Sequence, residues 1–156
     1  NRLVFLRPLA SRLNLLQMKK VFVKDNVSLP SRGEAGIFDL KSKTTNDKFY
    51  LDVDRRGRIE FSKFKIQNRF AGNKLPLVRI DIDSAPHMNP DGSKTSRNHI
   101  HIFKEMENDT GNLPWAYSLE DFEPINFNRD CINFMEIFSG FCEYCNIIMN
   151  NIQGVI

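Results

Sequence analysis

The stretch RIDIDSAPHMNPDGSKTSRNHIHIF (79–103) joins two alternating segments through a loop rich in proline, glycine and polar residues. In RIDID and HIHI, apolar and polar side chains alternate, which is typical of strands with one buried face. The turn signal NPDG (89–92) lies between them, because proline fixes φ and Asp-Gly accepts a tight turn. We therefore predict two neighbouring strands, at 75–83 and 98–104, around this loop.

The segments on either side of this pair predict further strands and two helices. In chain order they are a helix over 3–23, a short strand at 37–41, a hairpin of strands 48–54 and 59–67 with a bulge near Ser62, a short strand at 115–119, and a helix from Asn128, which caps it. Strands flanked by helices are typical of an α+β fold. We predict a single α+β domain over 1–156, with a mostly antiparallel sheet of about 5–6 strands, an N-terminal helix and a C-terminal helix.

The composition sets coarse limits on function. A chain of 156 residues with 41% hydrophobic and 26% charged residues fits a globular protein. No apolar run approaches the roughly 20 residues of a membrane span, so we expect no membrane partner. The net charge of +3 permits nucleic acid as a partner without arguing for it. An exposed strand edge would make a homodimer easy to build.

The cysteines indicate a reducing compartment and a structural role. There are three of them, and an odd number argues against a disulfide framework, so we predict a cytoplasmic location. Two form the motif CEYC (142–145), which lies on the apolar stripe of the last predicted helix. Buried cysteine behaves as a small hydrophobic residue, so we predict core packing rather than a redox or zinc site.

A concentration of positive charge lies in and after the predicted hairpin. Within fifteen residues the chain has six cations: Arg55, Arg56, Arg58, Lys63, Lys65 and Arg69. Phe61, Phe64 and Phe70 are interleaved with them. Such a hairpin could bind a phosphate backbone and stack a base on an exposed aromatic ring. The alternative is a solvated strand face with its phenylalanines in the core.

All three histidines of the chain fall in the opening stretch. Strand parity places these polar side chains on one sheet face, pointing outward: Arg79, Asp81 and Asp83 from one strand, and His99, His101 and Glu105 from the other. His87 lies in the loop and could fold over them. Clusters of histidine and carboxylate are often catalytic or metal sites. The alternative is an amphipathic hairpin whose polar residues have no shared task.

Two chemistries fit the cluster. HIHIFKE (99–105) has the HxHxxxE spacing of the first cupin motif, whose imidazole and carboxylate groups bind metal, but no histidine follows for a second motif. The other is phosphodiester cleavage without metal or cofactor, in which one histidine takes the ribose 2′-OH proton, a second protonates the leaving oxygen, and a cation stabilises the charge. The residues assigned to this hypothesis are His87, His99, His101, Arg79 and Asp81.

The motifs around the histidines also resemble a known family. LxRxD (77–81), PHxNPDG (86–92), HIHIFKE (99–105) and WA (115–116) are similar to a family of small proteins of bacteria, prophages and mobile elements that has no assigned function. The likeness extends to FYLDVDRRGRIEFSKFKIQNRF (49–70) and to both end helices. The resemblance implies a mobile-element protein, and such proteins are often toxins or inhibitors of host defence.

Three functional hypotheses follow. The first is an RNA-directed phage or mobile-element protein that acts as a metal-independent endoribonuclease on host RNA or CRISPR guide RNA. The second is a non-enzymatic, anti-CRISPR-like inhibitor that binds a nucleic-acid-handling protein and whose histidines organise the 84–97 loop. The third is a metal-binding, cupin-like protein. The partner expected under the first two is RNA or a ribonucleoprotein.

Overall fold

The computed structural model describes residues 10–57, 62–104, 112–149 and 152–153. Its elements are, in chain order, α1 (Ala10–Gln17), β1 (Lys20–Phe22), β2 (Val27–Ser28), β3 (Ala35–Ser42), β4 (Lys48–Asp54), β5 (Phe64–Phe70), β6 (Pro76–Ile82), β7 (His99–Ile102), β8 (Ala116–Ser118), a 3-10 helix (Leu119–Asp121), α2 (Phe134–Tyr144), β9 (Ile147–Ile148) and β10 (Ile152–Gln153). This is an α+β architecture. Across the described ranges, no helix is both long and apolar enough to span a membrane.

One large mixed sheet organises the described chain. Eight strands within these ranges pair in the order β8-β7-β6-β5-β4-β3-β1-β9, and β10 pairs with β2 separately. From β3 to β8 every neighbouring pair is antiparallel, because each strand follows the previous one through a turn or loop. The β1–β9 and β2–β10 pairs are parallel. Strand β6, which carries Asp81, therefore lies inside the sheet between β5 and β7.

One face of the sheet forms the core. Alternate residues of the strands point into it, including Leu51, Ile66 and Ile80, each with no exposed surface. Helix α2 covers this face, and its Phe134 ring meets Phe64 edge-on at 5.0 Å between centroids. Full burial of each such side chain stabilises the fold by about 1.5–3 kcal/mol. The apolar face thus anchors the strands that carry the polar residues on the reverse side.

The sheet is larger than the sequence predicted. The expected 5–6 strands were too few, because the described residues contain an eight-stranded sheet. Residues 20–22, predicted as helix, form β1, since they pair with β3 and with β9. Helix α1 ends at Gln17, and residues 3–9 of the predicted helix lie outside the described ranges. The predicted C-terminal helix is not the last element either, since β9 and β10 follow α2. The mixed sheet and the two helices keep the fold in the predicted α+β class.

Three further details differ from the sequence prediction, and the first is that β5 covers Phe64–Phe70 instead of 59–67. Helix α2 starts after Asn133, whose side chain accepts a hydrogen bond from the Glu136 amide. Asn128 is therefore not the cap, and it instead accepts a hydrogen bond from the Asp130 amide in a turn. The predicted bulge near Ser62 adjoins residues 58–61, outside the described ranges. The register irregularity that the structure shows lies between β5 and β6, near Arg69.

The second face of the sheet carries the polar side chains. The register aligns one row of them across β4 to β7: Asp52, Gln67, Arg79 and His101. The adjacent row runs through Asp54, Lys65, Asp81 and His99. On β4 and β5 these residues are half-buried or exposed, whereas at β6 and β7 three of the four are buried. The sheet therefore changes from an open to a covered polar face between β5 and β6.

Candidate functional site: a buried histidine and aspartate cluster

Antiparallel pairing of β6 with β7 builds the candidate site. Asp81 is the register partner of His99, and Arg79 is the register partner of His101. Nε2 of His99 and Nε2 of His101 each lie 3.2 Å from the same carboxylate oxygen, Oδ2 of Asp81. An Arg79 guanidinium nitrogen lies 3.1 Å from that oxygen and 3.1 Å from Nε2 of His101. These four residues are called the His–Asp cluster below.

A covering loop, residues 84–97, lies over Asp81, His99 and His101 of the His–Asp cluster and shields them from solvent. Asp81 is 3% exposed, and His99 and His101 are 2% exposed each. The sequence predicted these side chains to point outward. They do point away from the apolar core, but the covering loop and residues 113–114 lie over them and bury them. A second layer of chain, which strand parity cannot reveal, buries the polar face.

Specific hydrogen bonds hold the covering loop in place. The side-chain amide of Asn89 accepts from the amide of Ala116 at 2.8 Å and donates to its carbonyl at 3.0 Å. The amide of Thr95 donates to the carbonyl of His87 at 2.9 Å. Between these points the chain turns at Gly92, whose φ of +89° suits glycine. The motif NPDG thus forms the predicted turn, and Asn89 joins that turn to β8.

His87 lies against the His–Asp cluster without contacting Asp81 in the way the other histidines do. Its ring centroid is 4.6 Å from that of His101 and 6.1 Å from that of His99. Its Nε2 lies 2.6 Å from the carbonyl oxygen of Pro114. A carbonyl only accepts, so Nε2 of His87 carries the proton. The structure therefore brings all three histidines together, with His87 half-buried at the edge.

Backbone carbonyls also fix the tautomers of the two buried histidines. Nδ1 of His99 lies 3.0 Å from the carbonyl of Ser96, and Nδ1 of His101 lies 3.0 Å from that of Leu113. Both Nδ1 atoms therefore carry protons. The Nε2 atoms that face Asp81 donate to it only in the doubly protonated, charged imidazolium form. In the neutral form, each Nε2 presents a lone pair to the carboxylate.

Burial and charge act on the cluster in opposite directions. Burial by itself would raise the pKa of Asp81, but contacts with His101 and His99 and the charge of Arg79 outweigh it, and the pKa of Asp81 lies well below its usual range. For His101 burial is the largest effect, and it lowers the pKa despite the nearby carboxylate. The cluster therefore combines an ionised carboxylate with a histidine that burial biases toward its neutral form.

Two of the predicted RNA-binding cations, Arg55 and Arg69, use their guanidinium groups for contacts within the protein. Arg55 is 6% exposed, donates to the carbonyl of Pro30 at 3.0 Å and lies 4.0 Å above the ring of Phe134. Arg69 donates to both carboxylate oxygens of Asp52. Arg55 therefore holds the β4 end to α2, and the charge of Arg69 is neutralised within the sheet.

Three other cations of this segment gather at the tip of the β4–β5 hairpin. Arg56 is 64% exposed and pairs with Asp54 at 3.0 Å. Lys65 is exposed and is the register partner of Asp54. With Lys63 they line a small depression of about 50 Å³. Arg58, the sixth predicted cation, lies outside the described residues, so the three hairpin-tip cations are Arg56, Lys63 and Lys65.

The remaining sequence candidates divide between buried and undescribed positions. Glu105, the carboxylate of the cupin-like spacing, lies outside the described residues. The carboxylate that meets His99 and His101 is Asp81, from the neighbouring strand. Cys142 and Cys145 are free thiols with no exposed surface, in agreement with the core role expected for CEYC.

Several asparagine and serine residues that were not predicted from the sequence position the cluster. Asn98 is 5% exposed, and its Oδ1 accepts from the amide of Asp83, a residue with a positive φ of 52°. Ser96 donates from its amide to the hydroxyl of Ser118 on β8. The available signal was their position beside the histidines, since side chains of this type often bond to nearby backbone.

A family model matches residues 11–147, most of the chain and the whole of the cluster with its covering loop. The chain belongs to DUF6978, a family of unknown function. This assignment agrees with the resemblance to an uncharacterised family. No curated protein matches the chain, and no solved structure matches it. Membership of DUF6978 therefore leaves the function to be argued from the site.

Proposed function

We propose that this protein binds RNA without cleaving it, as an RNA-directed protein of a phage or mobile element. One observation carries the non-catalytic part: His99 and His101 are 2% exposed, and their ring nitrogens face protein atoms. A general base must come within hydrogen-bonding distance of the proton that it removes. A ribose 2′-OH cannot approach either ring while the covering loop is closed.

The hairpin-tip cations support the RNA-binding part of the proposal. Arg56, Lys63 and Lys65 surround one depression, and one carboxylate, Asp54, lines it with them. Three cations around a single concavity suit a phosphate group better than the same charges dispersed over a surface. Arg55, which is buried, and Arg69, which is mostly buried and paired with Asp52, are left out of this surface. Arg56 is also paired, with Asp54, but its side chain is 64% exposed.

The class of RNA follows from the family resemblance and not from the site. Proteins of mobile elements often act against host defence, and a CRISPR guide RNA offers exposed, structured phosphate backbone. We therefore choose a CRISPR guide RNA as the first probe, with an unrelated structured RNA beside it. Preference for the guide RNA supports the anti-CRISPR hypothesis, and equal binding supports a general affinity for RNA.

Fluorescence anisotropy of labelled RNA tests the proposal. The Lys63→Ala, Lys65→Ala double variant should weaken binding by about tenfold or more at low salt and flatten the dependence of affinity on salt. The Lys41→Ala, Lys43→Ala double variant is the matched control, because both lysines are exposed near the opposite end of β4, about 20 Å along the strand. Equal losses in both variants, or no binding by the wild type, would refute the proposal.

A second candidate is the metal-independent endoribonuclease. The convergence of Arg79, His99 and His101 on one carboxylate favours it, because the partly exposed Arg79 marks the route by which a substrate phosphate would enter. Incubation of both RNAs with the protein, with and without EDTA and beside His101→Ala, separates the candidates. Cleavage that survives EDTA and is lost in folded His101→Ala would establish the nuclease. Binding with no cleavage favours the first proposal.

A further inference from the structure

We propose that the His–Asp cluster is a site for one divalent transition-metal ion, Zn²⁺ in the first instance, ligated by Nε2 of His99, Nε2 of His101 and the carboxylate of Asp81. These three donor atoms lie within 4.8 Å of one another. This site is separate from the hairpin-tip cations and does not depend on RNA binding. The tautomers, the distances and the atoms without a hydrogen-bond partner in the cluster support the metal site.

The protonation pattern leaves lone pairs directed at a carboxylate. Because the carbonyls of Ser96 and Leu113 hold the protons on Nδ1, a neutral His99 or His101 faces Asp81 with a bare Nε2. The guanidinium of Arg79, which can only donate, contacts Nε2 of His101 and therefore also requires that atom to be bare. Nε2 of His99 and Oδ2 of Asp81 are 3.2 Å apart, and two acceptors at this distance repel each other unless a cation lies between them.

Protonation of His99 alone, with His101 accepting from Arg79, is the metal-free alternative that the titration tests. Two imidazolium ions are opposed by their surroundings. They would place two positive charges beside a third, on Arg79, around one buried carboxylate. The rings of His99 and His101 are only 5.0 Å apart between centroids. Like charges at this separation in a buried site disfavour the doubly charged state. A single divalent ion satisfies both lone pairs and the carboxylate at once.

Two of the three donor separations fit coordination directly, and the third, between the two Nε2 atoms, is bounded at 4.8 Å. A tetrahedral Zn²⁺ ion with ligands at about 2.0–2.1 Å holds its donor atoms about 3.3 Å apart. Each Nε2 lies 3.2 Å from Oδ2 of Asp81. Two imidazoles and a carboxylate are a ligand set typical of Zn²⁺ and related ions. Three protein donors leave the fourth position for water or another small ligand.

The surroundings of the ligands also match those of metal sites. Histidines that bind metal commonly donate their other N–H to a backbone carbonyl or carboxylate, which fixes the ring and increases its basicity. Ser96 and Leu113 provide these carbonyls. Oδ1 of Asp81 is buried and, within the described residues, receives no hydrogen bond. Nε of Arg79 lies 3.1 Å away but outside hydrogen-bonding geometry.

Arg79 competes with the ion in this arrangement. Its guanidinium contacts two of the three proposed ligands, and its side chain is 35% exposed. An entering cation would repel the guanidinium, which can turn toward solvent over the open part of the sheet. Removal of Arg79 should therefore increase metal affinity. A purely structural ion-pair network makes a different prediction. Without Arg79 it would lose stability, and its affinity for metal would not rise.

Zn²⁺ titration in competition with a chromophoric chelator tests the site. The chain should be treated first with a chelator and should carry Cys131→Ser, because Cys131 is the exposed thiol. We expect one ion per chain, and Co²⁺ should show the absorption of tetrahedral coordination. Asp81→Asn and His99→Gln should weaken binding at least about tenfold. Asp52→Asn, a carboxylate on the same face, should not change it.

Arg79→Ala keeps the test decisive if the buried variants fail to fold. Because Arg79 is partly exposed, its variant should remain folded, and its Zn²⁺ affinity should rise about tenfold. No stoichiometric binding by the wild type would overturn the site. Unchanged binding in Asp81→Asn and His99→Gln, or no gain in Arg79→Ala, would also overturn it. RNA cleavage that requires Zn²⁺ would refute the non-catalytic function while supporting the site.

Discussion

The side-chain amide of Asn89 pairs with the backbone of Ala116 through two hydrogen bonds, in the manner of an additional strand residue beside β8. A side chain therefore completes the edge of the sheet at this point. The pairing holds the covering loop over Asp81, His99 and His101. Burial of the cluster depends on this contact as much as on the strands that carry the cluster.

Replacement of Asn89 should release the covering loop. Asn89→Ala removes both bonds to Ala116 and leaves two backbone groups without a partner, so we expect a loss of about 2 kcal/mol in the free energy of unfolding. Urea denaturation measures the loss, and hydrogen exchange should increase through residues 84–97. Asn126→Ala, which removes an exposed bond to Glu136, is the control and should cost less than about 0.5 kcal/mol.

The stability of the protein should fall in acid in two stages. The pKa of His101 is lowered from 6.5 by burial, so the unfolded chain binds the proton more readily and the free energy of unfolding falls as the pH drops below 6.5. The pKa of Asp81 is lowered from 3.8, so a second loss follows as the pH drops below that value.

Unfolding in urea from pH 8 to pH 3, in EDTA, measures both stages. His101→Gln should remove the first stage, because no imidazole remains at that position. A wild-type protein that gains stability between pH 6.5 and pH 5 would contradict the assignment of a neutral His101.

Arg55 and Arg56 should differ in what they support, although they are adjacent in sequence. Arg55→Ala removes a buried bond to Pro30 and the contact with the Phe134 ring, so it should destabilise the fold by about 2–3 kcal/mol. RNA affinity, measured on the folded protein, should stay the same. Arg56→Ala should show the reverse: little change in stability and weaker RNA binding. The same pattern in both variants would contradict the separation.

Lys20 should make stability depend on alkaline pH. Its ammonium group is buried, donates to the carbonyls of Leu16, Met18 and Cys145, and has a pKa lowered by burial from 10.5 to about 8. Between these values the unfolded chain binds the additional proton, so the contribution of Lys20 to stability rises with pH.

The difference between wild type and Lys20→Met isolates this contribution. The free energy of unfolding of the wild type relative to the variant should increase from pH 8 to pH 10.5. Burial raises the pKa of Cys145 to about 12, which lowers stability above pH 9 in both proteins and so largely cancels in the difference. A difference that stays flat with pH would show that Lys20 titrates normally.

The central strands were predicted because apolar and polar residues alternate along them in the sequence. Lys48–Asp54 is a strand over the predicted residues, with its apolar side chains buried. The short strands β1 and β9 were missed for a physical reason. Lys20–Phe22 has three residues and β9 has two, so neither is long enough to show a period of two. Their conformation comes from pairing with distant strands, which local pattern does not encode.

The membership of the site was more predictable than its burial. Antiparallel parity and a short connection were enough to place Arg79, Asp81, His99 and His101 on one sheet face. The register that sets Asp81 opposite His99 and Arg79 opposite His101 is known only from the structure. The position of the loop above them depends on the hydrogen bonds between Asn89 and Ala116, which are 27 positions apart. No periodic pattern in the sequence predicts that contact. The carbonyls of Ser96 and Leu113 fix the tautomers. They are backbone groups that every residue type has, so the sequence does not reveal their role.

The pairing of β1 with β9 has a consequence for how the protein folds. Lys20 faces Ile147 in this pair, so the contact closes a loop of more than 120 residues. Closing so long a loop is entropically costly and tends to be late. The meander from β3 to β8 has shorter connections and can assemble earlier. During synthesis, the edge of β1 that pairs with β9 would therefore stay unpaired until the last part of the chain has been made. In that interval it could pair with a neighbouring molecule.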